Sequence, residues 1–97
     1  MNKMRPTHPG EVLREEFLEP LGLSAHALAV ALRVPAPRIN DVVRERRGIT
    51  PDTALRLARF FKTTPQFWMN LQASYDLKIA LRDSRGRIEK EVLPHAA

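Results

Sequence analysis

The stretch SAHALAVALRVPAPRINDVVRERR, residues 24–47, reads as two short helices joined by a tight corner, the second running into a cluster of arginines. The Ser24 hydroxyl suits the start of the first helix, where it accepts from a free backbone N–H, and Leu28, Ala31 and Leu32 then share one buried face at helical spacing. Ala27 and Ala29 beside Leu28 keep that helix slim, so a second helix crosses it closely. The second begins near Pro35 and offers Ile39, Val42 and Val43 as the matching apolar stripe. Arg38, Asn40, Asp41 and Arg44 are left on its open face. Asn and Arg carry the paired hydrogen-bonding groups that read adenine and guanine edges, so this is the layout of a DNA-reading helix-turn-helix.

Composition bounds the rest. Ninety-seven residues with 43% apolar side chains form one domain with a single modest core. No apolar run approaches the ~20 residues needed to span a bilayer, and Met1–Arg5 lacks the apolar stretch of a signal peptide, so a cytoplasmic protein is expected. Cysteine is absent, which excludes disulfides and thiolate metal sites and fits a reducing compartment. The net charge of +5 is unevenly spread: residues 1–34 carry four basic and four acidic side chains, residues 35–62 seven and three, and residues 63–97 five and four. The excess peaks around the second helix of the pair, where a basic stripe raises phosphate affinity. Without the motif, the same charge would read as the solvated face of a small basic protein.

Apolar positions elsewhere are also helically spaced, and no alternating β-branched run is long enough for a sheet. The spacing predicts a first helix that begins at Pro9, buries Val12, Leu13 and Phe17, and stops at Pro20. Gly48 breaks the chain, and Thr50-Pro51-Asp52 opens a fourth helix with a cap, a first-turn proline and an acid matched to the helix dipole; Leu55, Leu57, Ala58 and Phe61 fill its inner face. Thr64-Pro65-Gln66 repeats the signal for a fifth helix carrying Phe67, Trp68, Leu71 and Tyr75. From Arg82 the pattern weakens: Asp83–Arg87 looks like a turn, and residues 88–93 fit a frayed tail, a short helix or a strand. The expectation is an all-α, five-helix domain over residues 1–81, with the helix-turn-helix at helices two and three, and a short C-terminal extension over residues 82–97.

Two longer stretches narrow the family. VPAPRINDVVRERRGITPDTALRLARFFKTTPQFWMNLQASYDL, residues 34–77, and MRPTHPGEVLREEFL, residues 4–18, resemble the HigA/VapI-like antitoxins of the Cro/lambda-repressor-like (XRE) family. The resemblance covers roughly residues 4–81, most of the chain. It implies a lambda-repressor-like fold and two jobs. The first is neutralising, by protein binding, a HigB-type, RelE-like toxin that cuts mRNA. The second is repressing the operon by binding operator double-stranded DNA as a homodimer. Two residues depart from the common pattern. Arg33 sits at the corner where glycine is usual, so a corner of different geometry is expected; Ala25 replaces a glutamine that contacts phosphate in many relatives, so one anchoring contact is missing.

On this reading the first turn of the third helix enters the major groove. Ala36, Pro37, Arg38, Asn40 and Asp41 are the candidate base contacts: Arg38 and Asn40 lead, Pro37 packs on a thymine methyl, and Asp41 orients Arg38 or Arg44. Ser24, Arg44, Arg46 and Arg47 are the candidate phosphate contacts. Successive major grooves lie ~34 Å apart, beyond one small domain, hence a homodimer whose seam is expected at Trp68, Tyr75, Leu77, Ile79 and Leu81; the other reading makes Phe67, Trp68, Leu71 and Tyr75 all core. The arm Asn2–Thr7 and the tail Arg82–Lys90 are candidate toxin contacts. The alternative function is a stand-alone XRE-family transcriptional regulator. His8, His26 and His95 are scattered without ligand spacing, and no phosphate loop or nucleophile motif occurs, so neither a metal, a cofactor nor enzymatic activity is expected.

Overall fold

Pro9 opens the first helix of the computed structural model, which describes residues 5–96. Just before it, the extended His8 turns Nδ1 to accept the Gly10 N–H at 2.8 Å, so an imidazole does the capping that Ser or Asn more often does. Helix α1 covers residues 9–21, α-helical over Pro9–Val12, π-helical over Leu13–Leu18 and α-helical again over Glu19–Leu21. Pro20 therefore does not stop it. Proline lacks an N–H and crowds the carbonyl one α-turn back; in the widened backbone the Glu19 N–H bonds the Arg14 carbonyl five residues back, and Pro20 is accommodated. The stop falls instead at Gly22, whose backbone is left-handed.

Four more helices follow: α2 (Ala25–Leu32), α3 (Ala36–Val43), α4 (Pro51–Phe61) and α5 (Pro65–Glu91). The expected caps are in place. Ser24 Oγ accepts from Ala27 N–H at 3.0 Å, Thr50 Oγ1 from Thr53 at 3.4 Å and Thr64 Oγ1 from Phe67 at 3.1 Å. Among the described residues every regular element is helical, as the sequence predicts.

The corners share one geometry. Gly22, Arg33, Glu45 and Lys62 all have φ of 60–62°. In each case the next N–H reaches back five residues, Leu23 to Leu18, Val34 to Ala29, Arg46 to Asp41 and Thr63 to Ala58. Arg33 thus takes the left-handed corner that its side chain was expected to preclude. The Cβ strain of about 1–2 kcal/mol is offset by the carbonyls this bond pattern satisfies at the helix end.

One core joins the helices. Leu13 and Leu18 of α1, Leu28, Ala29 and Leu32 of α2, Ile39 and Val42 of α3, and Ala54, Leu57 and Ala58 of α4 are buried together with Ile49 and Trp68. Two inward assignments need correcting, because Ala31 and Leu55 are exposed. On α2 the buried stripe runs through positions 28, 29 and 32, and on α4 through 54, 57 and 58; each corrected residue falls on the flank. Trp68 is also corrected. Its ring is wholly buried within the single chain, with Phe17 at 5.0 Å and Phe67 at 5.0 Å between ring centroids, and its indole N–H donates to Thr63 Oγ1 at 2.8 Å. A side chain so enclosed has no surface for a partner.

The turn expected at Asp83–Arg87 is absent. Helix α5 passes unbroken through position 82 and Gly86 to Glu91, and its 27 residues span roughly 40 Å at ~1.5 Å per residue. Its C-terminal part stands clear of the other helices, which accounts for the elongated extents of 53 × 26 × 22 Å. Leu77, Leu81 and Ile88 are exposed along it. No described helix is long and apolar enough to cross a membrane.

Candidate nucleic-acid interface

Helix α3 has only 8 residues, and its position is set by its neighbours. Leu28 and Leu32 of α2 meet Ile39 and Val42 inside the core. On the other side α1 approaches so closely that a methyl group on Gly10 would lie 1.8 Å from the Val42 carbonyl oxygen. Arg14 of α1 reaches the C-terminal end of α3, donating from Nη1 to the Val43 carbonyl and from Nη2 to Glu45 at 3.2 Å. A cation there suits the negative end of the helix dipole and satisfies a carbonyl without an intrahelical partner. The loop after α3 is tied to α5 by Gln72, whose Oε1 accepts the Ile49 N–H at 2.6 Å while its Nε2 donates to Asp76 at 2.9 Å.

With Ile39 and Val42 turned inward, the candidate base contacts lie along the rest of α3. Pro37 is exposed, and Ala36, Arg38, Asn40 and Asp41 are half-buried. Arg44, Arg46 and Arg47 are exposed at the helix end and in the loop beyond it. Ser24 is exposed at the start of α2; its oxygen caps that helix, which leaves the hydroxyl proton available to an acceptor.

Two carboxylates organise the arginines, and only one was foreseen. Asp41 orients neither Arg38 nor Arg44; its charge partner is Arg47 at 3.7 Å. Arg38 is held by Asp52, in the first turn of α4, with Nη1 donating to Oδ2 at 2.7 Å. Arg56, one turn on, donates from Nε to the same oxygen at 2.9 Å and from Nη1 to the Leu32 carbonyl at 2.9 Å. The hydrogen bonds from Arg56 and Arg38 hold the Asp52 carboxyl below the usual carboxylate range. Arg38, Arg47, Thr50, Asp52 and Thr53 border one open recess of about 380 Å³. Asp52 is legible in sequence as a helix-start acid, but nothing in the pattern links it to a residue 14 positions earlier.

Tyr75, Leu77, Ile79 and Leu81 lie on α5. Tyr75 and Ile79 are half-buried, Leu77 and Leu81 exposed, and the Tyr75 ring packs edge-on against His8 at 4.9 Å. Of the N-terminal arm, Arg5 is folded back onto Glu11 through two hydrogen bonds of 2.9 Å, and Asn2–Met4 lie outside the described residues. Among the described residues no three of His, Cys, Asp and Glu gather as a metal site requires.

Two short helices crossing at a left-handed corner, with an arginine-rich exit from the second, define a helix-turn-helix DNA-binding domain. The sequence profile of the helix-turn-helix family matches residues 14–68. Virulence-associated protein I of Dichelobacter nodosus is 61% identical over 84 residues, 87% of this chain and 78% of that protein. Antitoxin HigA-1 of Vibrio cholerae is 37% identical over 89 residues, 92% of this chain and 80% of its own length. The structure of Pseudomonas aeruginosa antitoxin HigA with the higBA promoter superposes with a TM-score of 0.92 at 53% identity, covering 95% of this chain and 100% of that one. The chain belongs to the HigA/VapI-like group of the XRE-type helix-turn-helix family, a DNA-binding class without enzymatic chemistry.

Proposed function

We propose that this chain is the antitoxin of a type II toxin–antitoxin pair: it neutralises a HigB/RelE-like mRNA-cleaving toxin by direct binding and represses its own operon by binding operator double-stranded DNA. One observation carries the reading. The outward face of α3 joins bidentate-capable Arg38 and Asn40 to the exposed Arg44, Arg46 and Arg47, on a scaffold that superposes at a TM-score of 0.92 on an antitoxin solved with its promoter.

In this reading Arg38 and Asn40 bond base edges, Pro37 packs on a thymine methyl, and Ala36 and Asp41 complete the groove-facing turn. Arg44, Arg46, Arg47 and Ser24 bond phosphates. Two copies are required to span successive grooves ~34 Å apart. Their seam runs along α5 through Tyr75, Leu77, Ile79 and Leu81, of which Leu77 and Leu81 are exposed. The toxin engages surfaces outside the core, with the 82–90 segment of α5 and the N-terminal arm as the candidate contacts.

Expressing the small reading frame beside this gene, alone and together with this chain, tests the antitoxin role through colony survival and co-purification; a harmless neighbour, or a toxic one that is not rescued, refutes it. Operator titration across salt concentrations tests the DNA contacts. Asn40→Ala is expected to cost about 1–3 kcal/mol at one base pair, whereas Arg46→Ala weakens all sequences alike and flattens the salt slope by about one unit. Full discrimination by Asn40→Ala would remove α3 from the groove.

A further inference from the structure

The candidate base-reading arginine does not float in solvent. A relay runs from the Leu32 carbonyl at the end of α2 through the Arg56 guanidinium to Asp52 Oδ2 on α4, and from that oxygen to Arg38 Nη1 on α3, with every link at 2.7–2.9 Å. We propose that Asp52 is a specificity-determining positioning residue: it holds the Arg38 guanidinium in its base-reading orientation before DNA arrives, with Arg56 fixing the carboxylate in turn. The proposal rests on the DNA-binding reading above and adds a residue that contacts no base itself.

Three features favour orientation over sequestration. First, the contact is one-pronged: Asp52 takes a single Nη1 hydrogen bond, and among the described residues no side chain bonds Nη2–H or Nε–H of Arg38, which face the paired acceptors of a guanine edge in this reading. Second, Asp52 is not free to follow Arg38 outward. Both of its arginines bond the same oxygen, and Arg56 is itself anchored on a backbone carbonyl of another helix. Third, Arg38 is the more enclosed partner, its side chain 32% exposed against 55% for Asp52. A long arginine side chain otherwise loses much rotamer freedom when it binds, and a guanidinium held in place beforehand loses less.

Removing the carboxylate therefore acts on discrimination and on generic affinity in opposite senses. An aspartate beside phosphates repels them, so its neutralisation leaves non-specific binding unchanged or tighter. The freed arginine meanwhile samples orientations that miss its base. A residue that only stabilises the fold would weaken both together.

The test uses the full chain and a duplex of the DNA immediately upstream of its own gene, against single base-pair variants and a scrambled duplex. For Asp52→Asn the ratio of operator to scrambled affinity is expected to fall about fivefold to tenfold, concentrated at the base pair that Arg38→Ala also affects, with the salt slope and thermal melt unchanged. In the Arg38→Ala background the same substitution is expected to leave the operator-to-scrambled ratio unchanged. Arg56→Gln, which leaves Asp52 without its anchor, is expected to give a smaller loss at the same base pair. Two results overturn the proposal alone: Asp52→Asn discriminating like the unmodified chain, or losing equally with and without Arg38. An unmodified chain that fails to prefer the upstream duplex over the scrambled one overturns the DNA-binding reading, and this proposal with it.

Discussion

Replacing Gly10 by alanine asks which force sets the position of α3. Helix propensity alone favours the change, since alanine is better than glycine in a helix by about 1 kcal/mol. Packing opposes it. The new methyl would lie 1.8 Å from the Val42 carbonyl oxygen, about 1.2 Å inside the 3.0 Å below which real Cβ contacts essentially never fall. Neither side yields cheaply. The obstacle is backbone, and the Val42 oxygen already accepts the Glu45 N–H at 2.9 Å, while Leu13, Ile39 and Val42 around it are fully buried. Overpacking a filled interior costs about 1–3 kcal/mol and here reaches the upper end, so the net loss is about 2 kcal/mol after the propensity gain. In a domain of this size that lowers the melting temperature by roughly 8–16 °C. Gly86→Ala supplies the internal control. A Cβ at Gly86 meets nothing within 4 Å, so the same substitution is expected to stabilise by about 0.5–1 kcal/mol. Thermal melts followed by far-UV circular dichroism read both signs, and operator titration of Gly10→Ala reads the displaced α3 as lost affinity. A Gly10→Ala protein that melts at or above the unmodified chain would refute the argument that backbone contact fixes α3.

Three further outcomes follow from the same contacts. Gln72→Ala removes the acceptor of the buried Ile49 N–H and is expected to cost about 1–2 kcal/mol by denaturant unfolding with an unchanged slope; a shift under ~0.5 kcal/mol would mean that water replaces the amide. Burial lowers the His8 pKa from its ordinary value of 6.5, so the unfolded chain takes up a proton before the folded one does. The neutral ring's contribution is therefore complete above pH 6.5 and is lost as pH falls through the lower folded value. Melting temperature should then drop on acidification more for the unmodified chain than for His8→Asn, which keeps a capping oxygen; parallel curves would count against the imidazole cap. Arg33→Gly relieves a left-handed Cβ and adds freedom to the unfolded chain, for a net gain of about 0.5 kcal/mol; a lower melting temperature would show that the Arg33 side chain contributes more than its strain.

Helix starts were legible because they are local: Ser24, Thr50 and Thr64 each cap an N–H three residues ahead, and Pro51 and Pro65 need only their own ring to fit the first turn. Helix ends were less so. A left-handed corner at Gly22 is readable from glycine, whereas those at Arg33, Glu45 and Lys62 depend on a bond five residues back that sequence does not advertise. The C-terminal half of α5 was missed for the opposite reason. It has little to pack against, so the apolar period that marks a buried helix face fades, and Asp83-Ser84-Arg85-Gly86 resembles a turn although the helix passes through it. At the site, the residue types facing outward on α3 were readable from what must face inward. Their partners were not, because Gly10 with Val42, Gln72 with Ile49, and Asp52 with Arg38 are pairs made by the fold.

Those three pairs share a consequence. An isolated helix of 8 residues has little stability in water, so the conformation of α3 is supplied by α1, α4, α5 and the α2 crossing together. Each of them grips a different part: Gly10 and Arg14 the C-terminal turns, Gln72 the loop beyond, Asp52 the side chain at the third residue of the helix. Substitutions at these grips move stability and DNA affinity in proportion, except at Asp52, where an exposed ion pair contributes little to folding. Asn40, Arg46 and Asp52 are therefore the positions at which recognition separates from stability. A variant panel that spans both groups distinguishes a reader helix held rigid by its scaffold from one that folds onto its target, since only the first predicts that loss of affinity at the grips tracks the loss of melting temperature.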